Sequence, residues 1–317
     1  MSIWTTVLLF MLGLLLIIKG GDWFLDGAVW MAEATGVPRF IIGATIVSLV
    51  TTLPELTVSI TGVLQGEIDL AVGNAVGSVT ANVGLILGIS VLFMPSAVQK
   101  KQFTFKAVLM VAGAMLLFVL CQDGLLTLLP SLLLFVIFAL YLGNNVIDAR
   151  HSVQENRELP ERQSVSHRQM FQKIGAFIIG ITAIIIGSQL LINHGSALAE
   201  QLGVPSSVIG VTMVAIGTSL PELVTTVTAL IKKESSMSVG NIIGANVIDL
   251  TMILPICSAV SGGKLAIGPQ TIALDLPFCL ALCFIAVIPP FIKGKFYRWQ
   301  GVVMLAVYGV YVAQLVL

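Results

Sequence analysis

Charge is what this sequence has least of. Charged residues make up 10 % of the chain, where an ordinary soluble domain carries about 25 %. The 16 Lys and Arg balance the 16 Asp and Glu, so no basic face points to nucleic acid. Histidine occurs only three times and cysteine four times. Cys121, Cys257, Cys279 and Cys283 all sit in apolar stretches and form no CxxC pair. That pattern fits small packing residues better than a metal knot or a disulfide framework. The first residues lack a basic region and a small-residue cleavage site, so the first apolar run is expected to be a retained helix.

What replaces charge is hydrocarbon. Hydrophobic residues make up 57 % of the sequence, and mean hydropathy is +1.01. A membrane-spanning helix needs about 20 apolar residues. Ten such runs lie near 3–31, 40–65, 69–94, 104–121, 125–147, 170–199, 207–231, 236–260, 269–292 and 297–316. They are continuous rather than alternating, which selects helices over barrel strands. The expected fold is therefore an all-α polytopic membrane protein of ten transmembrane helices, with the lipid bilayer as its solvent.

Lys and Arg set orientation. Arg39, Lys100, Lys101, Lys106, the stretch Arg150 to Lys173, Lys232, Lys233, Lys293, Lys295 and Arg298 fall on one side under this assignment. The opposite loops hold Glu67, Asp69, Asp123, Glu200 and a lone Lys264. Both termini are thus expected on the extracytoplasmic side of a cell (inner) membrane.

The chain also repeats itself. A shift of 167 residues superposes Gly36-Val37-Pro38 on Gly203-Val204-Pro205 and Thr51-Thr52-Leu53-Pro54-Glu55-Leu56 on Thr218-Ser219-Leu220-Pro221-Glu222-Leu223. Gly73-Asn74 falls on Gly240-Asn241, and Gly77 on Gly244. About 18 of 50 positions from Gly36 to Leu85 match their partners. The expected units are 1–148 and 170–317, with repeated motifs at 43–88 and 210–255 and a solvated cytoplasmic linker at 149–169. Each unit holds five spans. Five is odd, so the second copy enters the membrane inverted, as in secondary transporters whose site lies at mid-membrane between the halves.

Ionisable residues deep in a span are costly and mark function. Glu55, Glu222 and Asp249 are the three that stand out. Thr51, Glu55 and Ser59 form one helical stripe, and Thr218, Glu222 and Thr226 form its copy. Asn74, Ser78 and Asn82 form another, matched by Asn241, Ala245 and Asp249. Every ligand-type atom on these faces is an oxygen or an amide, which suits hard cations such as calcium and sodium rather than zinc or copper. Pro54 and Pro221 kink their helices and are expected to free the carbonyls of Val50 and Gly217. The GxxxG pairs Gly73/Gly77 and Gly240/Gly244 are expected to bring spans 3 and 8 against the Glu-bearing helices. Two or three carboxylates can hold one divalent ion or several monovalent ions, but not both sets. Such competition, combined with alternating access, gives antiport.

The segments GATIVSLVTTLPEL and GVTMVAIGTSLPEL, with AVGNAVGSVTAN and SVGNIIGANVID, closely resemble the two alpha repeats of the sodium/calcium exchangers, within the cation/calcium antiporter superfamily. The resemblance implies a prokaryotic-type exchanger of calcium for sodium, with no cofactor, no enzymatic activity and no obligatory protein partner. It implies Glu55 and Glu222 as the main calcium ligands, completed by the carbonyls of Thr51 and Thr218. It implies sodium sites drawing on the Ser48 and Ala215 carbonyls, the Thr51 and Ser78 hydroxyls, and Thr52, Thr218 and Ser219. Asn82 and Asp249 form the implied central pair. Val50 stands where the family usually has Gly, and Ala245 lacks the hydroxyl of its counterpart Ser78. These departures keep a calcium (or other divalent) cation/proton exchanger of the same fold as the alternative. A cation channel is a further reading. An intramembrane aspartyl enzyme is unsupported, because the repeat partner of Asp249 is Asn82.

Overall fold

The computed structural model describes residues 3–95, 97–155, 167–201 and 218–316. Ten helices account for almost all of it. They are α1 (Ile3–Thr35), α2 (Arg39–Gln65), α3 (Ile68–Phe93), α4 (Lys100–Leu120), α5 (Leu128–Glu155), α6 (His167–Gln201), α7 (described from Leu220 to Ile231), α8 (Ser235–Val260), α9 (Thr271–Lys293) and α10 (Arg298–Val316). Over the described residues each of the ten apolar runs lies mainly on one helix. Eight of the helices are long and apolar enough to cross a membrane; α10 has 19 residues, and the described part of α7 has 12. The first part of the run 207–231 lies outside the described residues.

The helices stop where the backbone can satisfy itself. Gly66 ends α2 in the left-handed region (φ 83°), and the Glu67 N–H then reaches back to the Gly62 carbonyl at 2.8 Å. Any side chain at Gly66 would pay for that φ. Residues 125–127, expected to open the fifth span, instead form strand β1 (Leu125–Thr127). It pairs antiparallel with β2 (Lys264–Ala266), tying the α4–α5 loop to the α8–α9 loop. An isolated bridge between Ala97 and Lys295 ties the α3–α4 loop to the α9–α10 loop. Both flanking helices extend into the stretch 149–169, α5 to Glu155 and α6 from His167. Hydrophobicity ends with the membrane, whereas helix propensity carries on through good formers such as Arg150 and Gln154.

Enclosure divides the bundle. Helices α3 and α8 are the most buried spans, while α1 and α5 present apolar side chains outward. Trp4, Leu8, Leu129 and Phe171 are among the exposed large apolar residues, as a lipid-facing perimeter requires.

The inverted relation of the two halves is visible in one crossing. Helices α1 and α6 are repeat partners, and Gly13 and Gly20 correspond to Gly180 and Gly187. In space Gly13 meets Gly187 and Gly20 meets Gly180. A Cβ built on Gly13 would lie 2.9 Å from the Gly187 carbonyl, and one on Gly20 would lie 2.7 Å from the Gly180 carbonyl. Residue i thus touches the copy of j, and j the copy of i, which is the signature of a two-fold axis. Glycine is required here because two helix backbones share the space that a methyl group would fill.

One buried pair has no copy. Lys106, expected at the cytoplasmic end of the fourth span, is fully enclosed within α4. Its ammonium lies 2.5 Å from Asp148 Oδ2 on α5, 3.2 Å from the Gln102 carbonyl and 5.6 Å from the Phe40 ring centroid. The equivalent positions are Ala273 and Leu315. Removing one partner strands a buried charge, whereas replacing both with apolar groups does not. Asp148→Leu is therefore expected to destabilise the protein by about 3–5 kcal/mol. The double variant Lys106→Met/Asp148→Leu is expected to recover most of that loss. Thermal unfolding of the detergent-solubilised variants checks both.

Candidate cation site

The two glutamates follow the same local backbone feature. In α2 the chain tightens at Thr52 (φ −81°, ψ −3°), and a new segment starts with Pro54 in its first turn. Before α7 the same happens at Ser219 (φ −84°, ψ 5°), followed by Pro221. Proline carries no N–H and its fixed φ suits a helix start, so the sequence restarts each helix rather than merely bending it. Glu55 and Glu222 then occupy the first turn of their segments. Free amide groups and the positive end of the helix dipole favour negative charge there. The Val50 carbonyl, expected to be freed by Pro54, instead accepts a backbone N–H at the close of the preceding segment, because the chain tightens at Thr52. Gly217 and Ala215 lie outside the described residues.

Both glutamates are fully buried, and Asp249 is 1 % exposed. Glu55 lies close enough to Glu222 and Asp249 for charge on either to act on it, and Glu222 has the Thr51 hydroxyl as a neighbour. No hydrogen-bond donor among the described residues reaches any of the six carboxylate oxygens at proper geometry. Buried carboxylate oxygens with no hydrogen bond among the described residues favour protons or cations as partners.

Hydroxyls and amides surround the acids and cross between the halves. Thr51 Oγ1 stands 3.3 Å from both the Ser48 carbonyl oxygen and Asn241 Oδ1, either of which can accept its one proton. Ser78 Oγ and Thr218 Oγ1 stand 3.3 Å apart. Thr52 Oγ1 donates to the Ser48 carbonyl at 2.6 Å. Asn74 Nδ2 donates to the Glu55 carbonyl at 3.0 Å and to Ser59 Oγ at 2.9 Å, fixing the α2–α3 contact. Ser48, Thr51, Thr52, Ser78 and Ser219 are all buried. Among the described residues, these contacts join Thr51 and Thr52 to Ser48 and set Ser78 beside the half-buried Thr218, while Thr51 lies next to Glu222. Among the described residues no three Asp, Glu, His or Cys side chains stand at direct metal-ligating spacing. A divalent ion between Glu55 and Glu222 would therefore draw on hydroxyl and carbonyl oxygens as well.

Asn82 and Asp249 open a further matched feature. Each begins a wide π-turn, Asn82–Leu87 in α3 and Asp249–Ile253 in α8. Such turns recur at functional sites, where they re-aim side chains. Asn82 Nδ2 donates to Asn246 Oδ1 at 3.1 Å, while Asn82 Oδ1 is left without a donor among the described residues. Neither the π-turns nor Asn246 was anticipated. An asparagine in an apolar run was the available signal for Asn246; hydropathy contains no signal for a π-turn.

The GxxxG expectation holds in the second copy. A Cβ on Gly240 would run into the Phe40 carbonyl of α2, and one on Gly244 into the Ser48 side chain. The glycines let α8 press against the first half of α2. Gly73 and Gly77 meet no described residue at that range.

Comparison with known proteins agrees with this arrangement. Residues 5–146 and 173–317 match the family model described as sodium/calcium exchanger protein. The chain is 30 % identical to the sodium/calcium exchanger MaX1 of Methanosarcina acetivorans, with 95 % of each chain covered. It is 31 % identical to the inner membrane protein YrbG of Escherichia coli, over 87 % of this chain and 86 % of that one. A solved structure of the sodium–calcium exchanger NCX_Mj, soaked with sodium and strontium, superposes with a TM-score of 0.84 at 28 % identity, covering 98 % of this chain and 99 % of that one. With the match running through both halves, the buried acids at their junction and the inverted pairing of α1 with α6, the chain belongs to the sodium/calcium exchanger family of multi-pass membrane proteins.

Proposed function

We propose that this protein exchanges calcium for sodium across the membrane by alternating access. The observation that carries the reading is the buried, oxygen-rich centre in which Glu55, Glu222 and Asp249 come together with no hydrogen bond to their carboxylate oxygens among the described residues. Hard cations seek such oxygens. In this reading Glu55 and Glu222 are the main calcium ligands, with the Thr51 and Thr218 carbonyls beside them. Sodium ions use the same glutamates together with Ser48, Thr51, Thr52, Ser78, Ala215, Thr218 and Ser219. Asn82 and Asp249 complete the centre from the facing helices. Shared ligands make occupancy by calcium and by sodium mutually exclusive. An empty centre leaves buried negative charge uncompensated, which opposes return of the unloaded carrier and couples the two fluxes. Family membership and the likeness to NCX_Mj support sodium over protons as the coupling ion.

Proteoliposomes loaded with sodium test this directly. Uptake of radiolabelled calcium is expected only with an outward sodium gradient, and an acid interior is expected not to replace it. Glu55→Gln and Glu222→Gln each remove one charge-assisted contact worth about 1.5–3 kcal/mol, so calcium affinity should fall roughly ten- to hundredfold. Uptake driven by protons with sodium inert would overturn the coupling ion.

The basic-residue pattern places both termini on the extracytoplasmic side of the cell membrane. The structure supports the pairing of faces this needs: the β1–β2 contact joins two loops assigned outside, and the Ala97–Lys295 bridge joins two assigned inside. A membrane-impermeant maleimide added to whole cells should label Gln122→Cys and Lys264→Cys. Lys101→Cys and Lys233→Cys should stay protected until the membrane is opened. The four native cysteines are buried and should contribute little background.

A further inference from the structure

The first half of α2 contains a wide turn of its own, the π-turn Gly43–Val47, directly before the site residues Ser48 and Thr51. The amides that close this turn bond the carbonyls of Gly43 and Thr45 and pass over that of Ala44. A carbonyl passed over inside an apolar bundle needs another donor. The Tyr141 hydroxyl, from α5, supplies it by donating to the Ala44 carbonyl. Tyr141 is fully buried, and it is one of the largest side chains so enclosed. Its hydroxyl also lies 2.8 Å from where a Cβ on Gly244 would stand, next to the Ser48 side chain. The glycine of α8, the serine of α2 and the tyrosine of α5 therefore close on one point.

That point governs direction. One extra residue in a turn rotates the segment that follows it, here Ser48 to Thr51 ahead of the break at Thr52, by about 100° relative to an unbroken α-helix. Ser48, whose carbonyl receives the Thr51 and Thr52 hydroxyls, lies immediately beyond the turn. Loss of the turn would swing these oxygens away from Glu222. At the repeat shift the sequence places a second tyrosine, Tyr308, in α10. It packs against Gly84 of α3, where a Cβ would come within 2.7 Å of its own Cβ.

We propose that Tyr141 is a positioning residue of the ion site, holding the π-turn of α2 so that the neutral oxygens of Ser48, Thr51 and Thr52 face the centre. The proposal rests on the exchange reading for its transport readout. Calcium takes only the Thr51 carbonyl from this segment and is held chiefly by Glu55 and Glu222, which lie beyond the breaks at Thr52 and Ser219, whereas sodium depends on the placed carbonyl and hydroxyl oxygens of Ser48, Thr51 and Thr52. Tyr141→Phe keeps the ring and its packing and removes only the donor. It should raise the sodium concentration for half-maximal exchange about three- to tenfold, and change the calcium value by less than about twofold. A role in stability alone would lower the amount of active protein without changing the ratio of the two values.

Two measurements keep the proposal separate from the function beneath it. Calcium–calcium exchange in proteoliposomes needs no sodium and reports the calcium value by itself. Hydrogen exchange of the peptide covering residues 40–52 reports the turn whatever ion drives transport. Faster exchange in Tyr141→Phe, with the selective sodium effect, supports the proposal. Unchanged amide exchange overturns it, even if sodium proves not to be the coupling ion. A sodium value equal to that of the unsubstituted protein, in an exchanger shown to be sodium-driven, also overturns it.

Discussion

Buried negative charge is the constraint on which the rest of this structure depends. A carboxylate within a membrane bundle costs several kcal/mol unless something compensates it. Here Glu55 lies near both Glu222 and Asp249, and among the described residues no hydrogen bond reaches their carboxylate oxygens. What the protein supplies instead is neutral oxygen, an electropositive helix start for each glutamate, and tight enclosure. In the proposed reading, compensation is left to the transported ions. The breaks at Thr52 and Ser219 and the glycine faces of α8 all serve to bring this unpaired charge together and hold it.

Tight enclosure in turn depends on glycine. Gly240 and Gly244 admit the backbone and side chains of α2, and Gly13, Gly20, Gly180 and Gly187 admit α1 and α6 to one another. Without a hydrophobic driving force between helices in lipid, close backbone contact is a main source of cohesion. The hydroxyl and amide links from Thr51 to Asn241 and from Ser78 to Thr218 then cross between the halves. The site is consequently a property of the interface, and neither repeat could form it alone.

Much of this was legible in the chain. Ten apolar runs located the helices to within a few residues in most cases, because the membrane imposes length and apolarity together. The doubled Leu-Pro-Glu motif located the acids, because an ionisable residue in such a run has few structural uses. What hydropathy could not show was backbone detail. The π-turns at Gly43, Asn82 and Asp249 are one-residue adjustments that leave hydrophobicity untouched. Strand β1 was read as the start of a helix, since Leu125-Leu126-Thr127 is as apolar as the helix that follows. Lys106 appeared as a topology marker, and only its contact with Asp148 shows it to be part of the packed interior. Tyr141 and Tyr308 are separated by the repeat distance, a signal present in the sequence but outside the motif window.

The Lys106–Asp148 pair bears on symmetry itself. An inverted repeat with identical halves would have two conformations of equal energy, related by exchanging the roles of its copies. The pair exists in one copy only, with Ala273 and Leu315 in the other. It therefore breaks the equivalence of the halves at the contact of α4 with α5, so exchanging the roles of the copies does not return the same set of interactions.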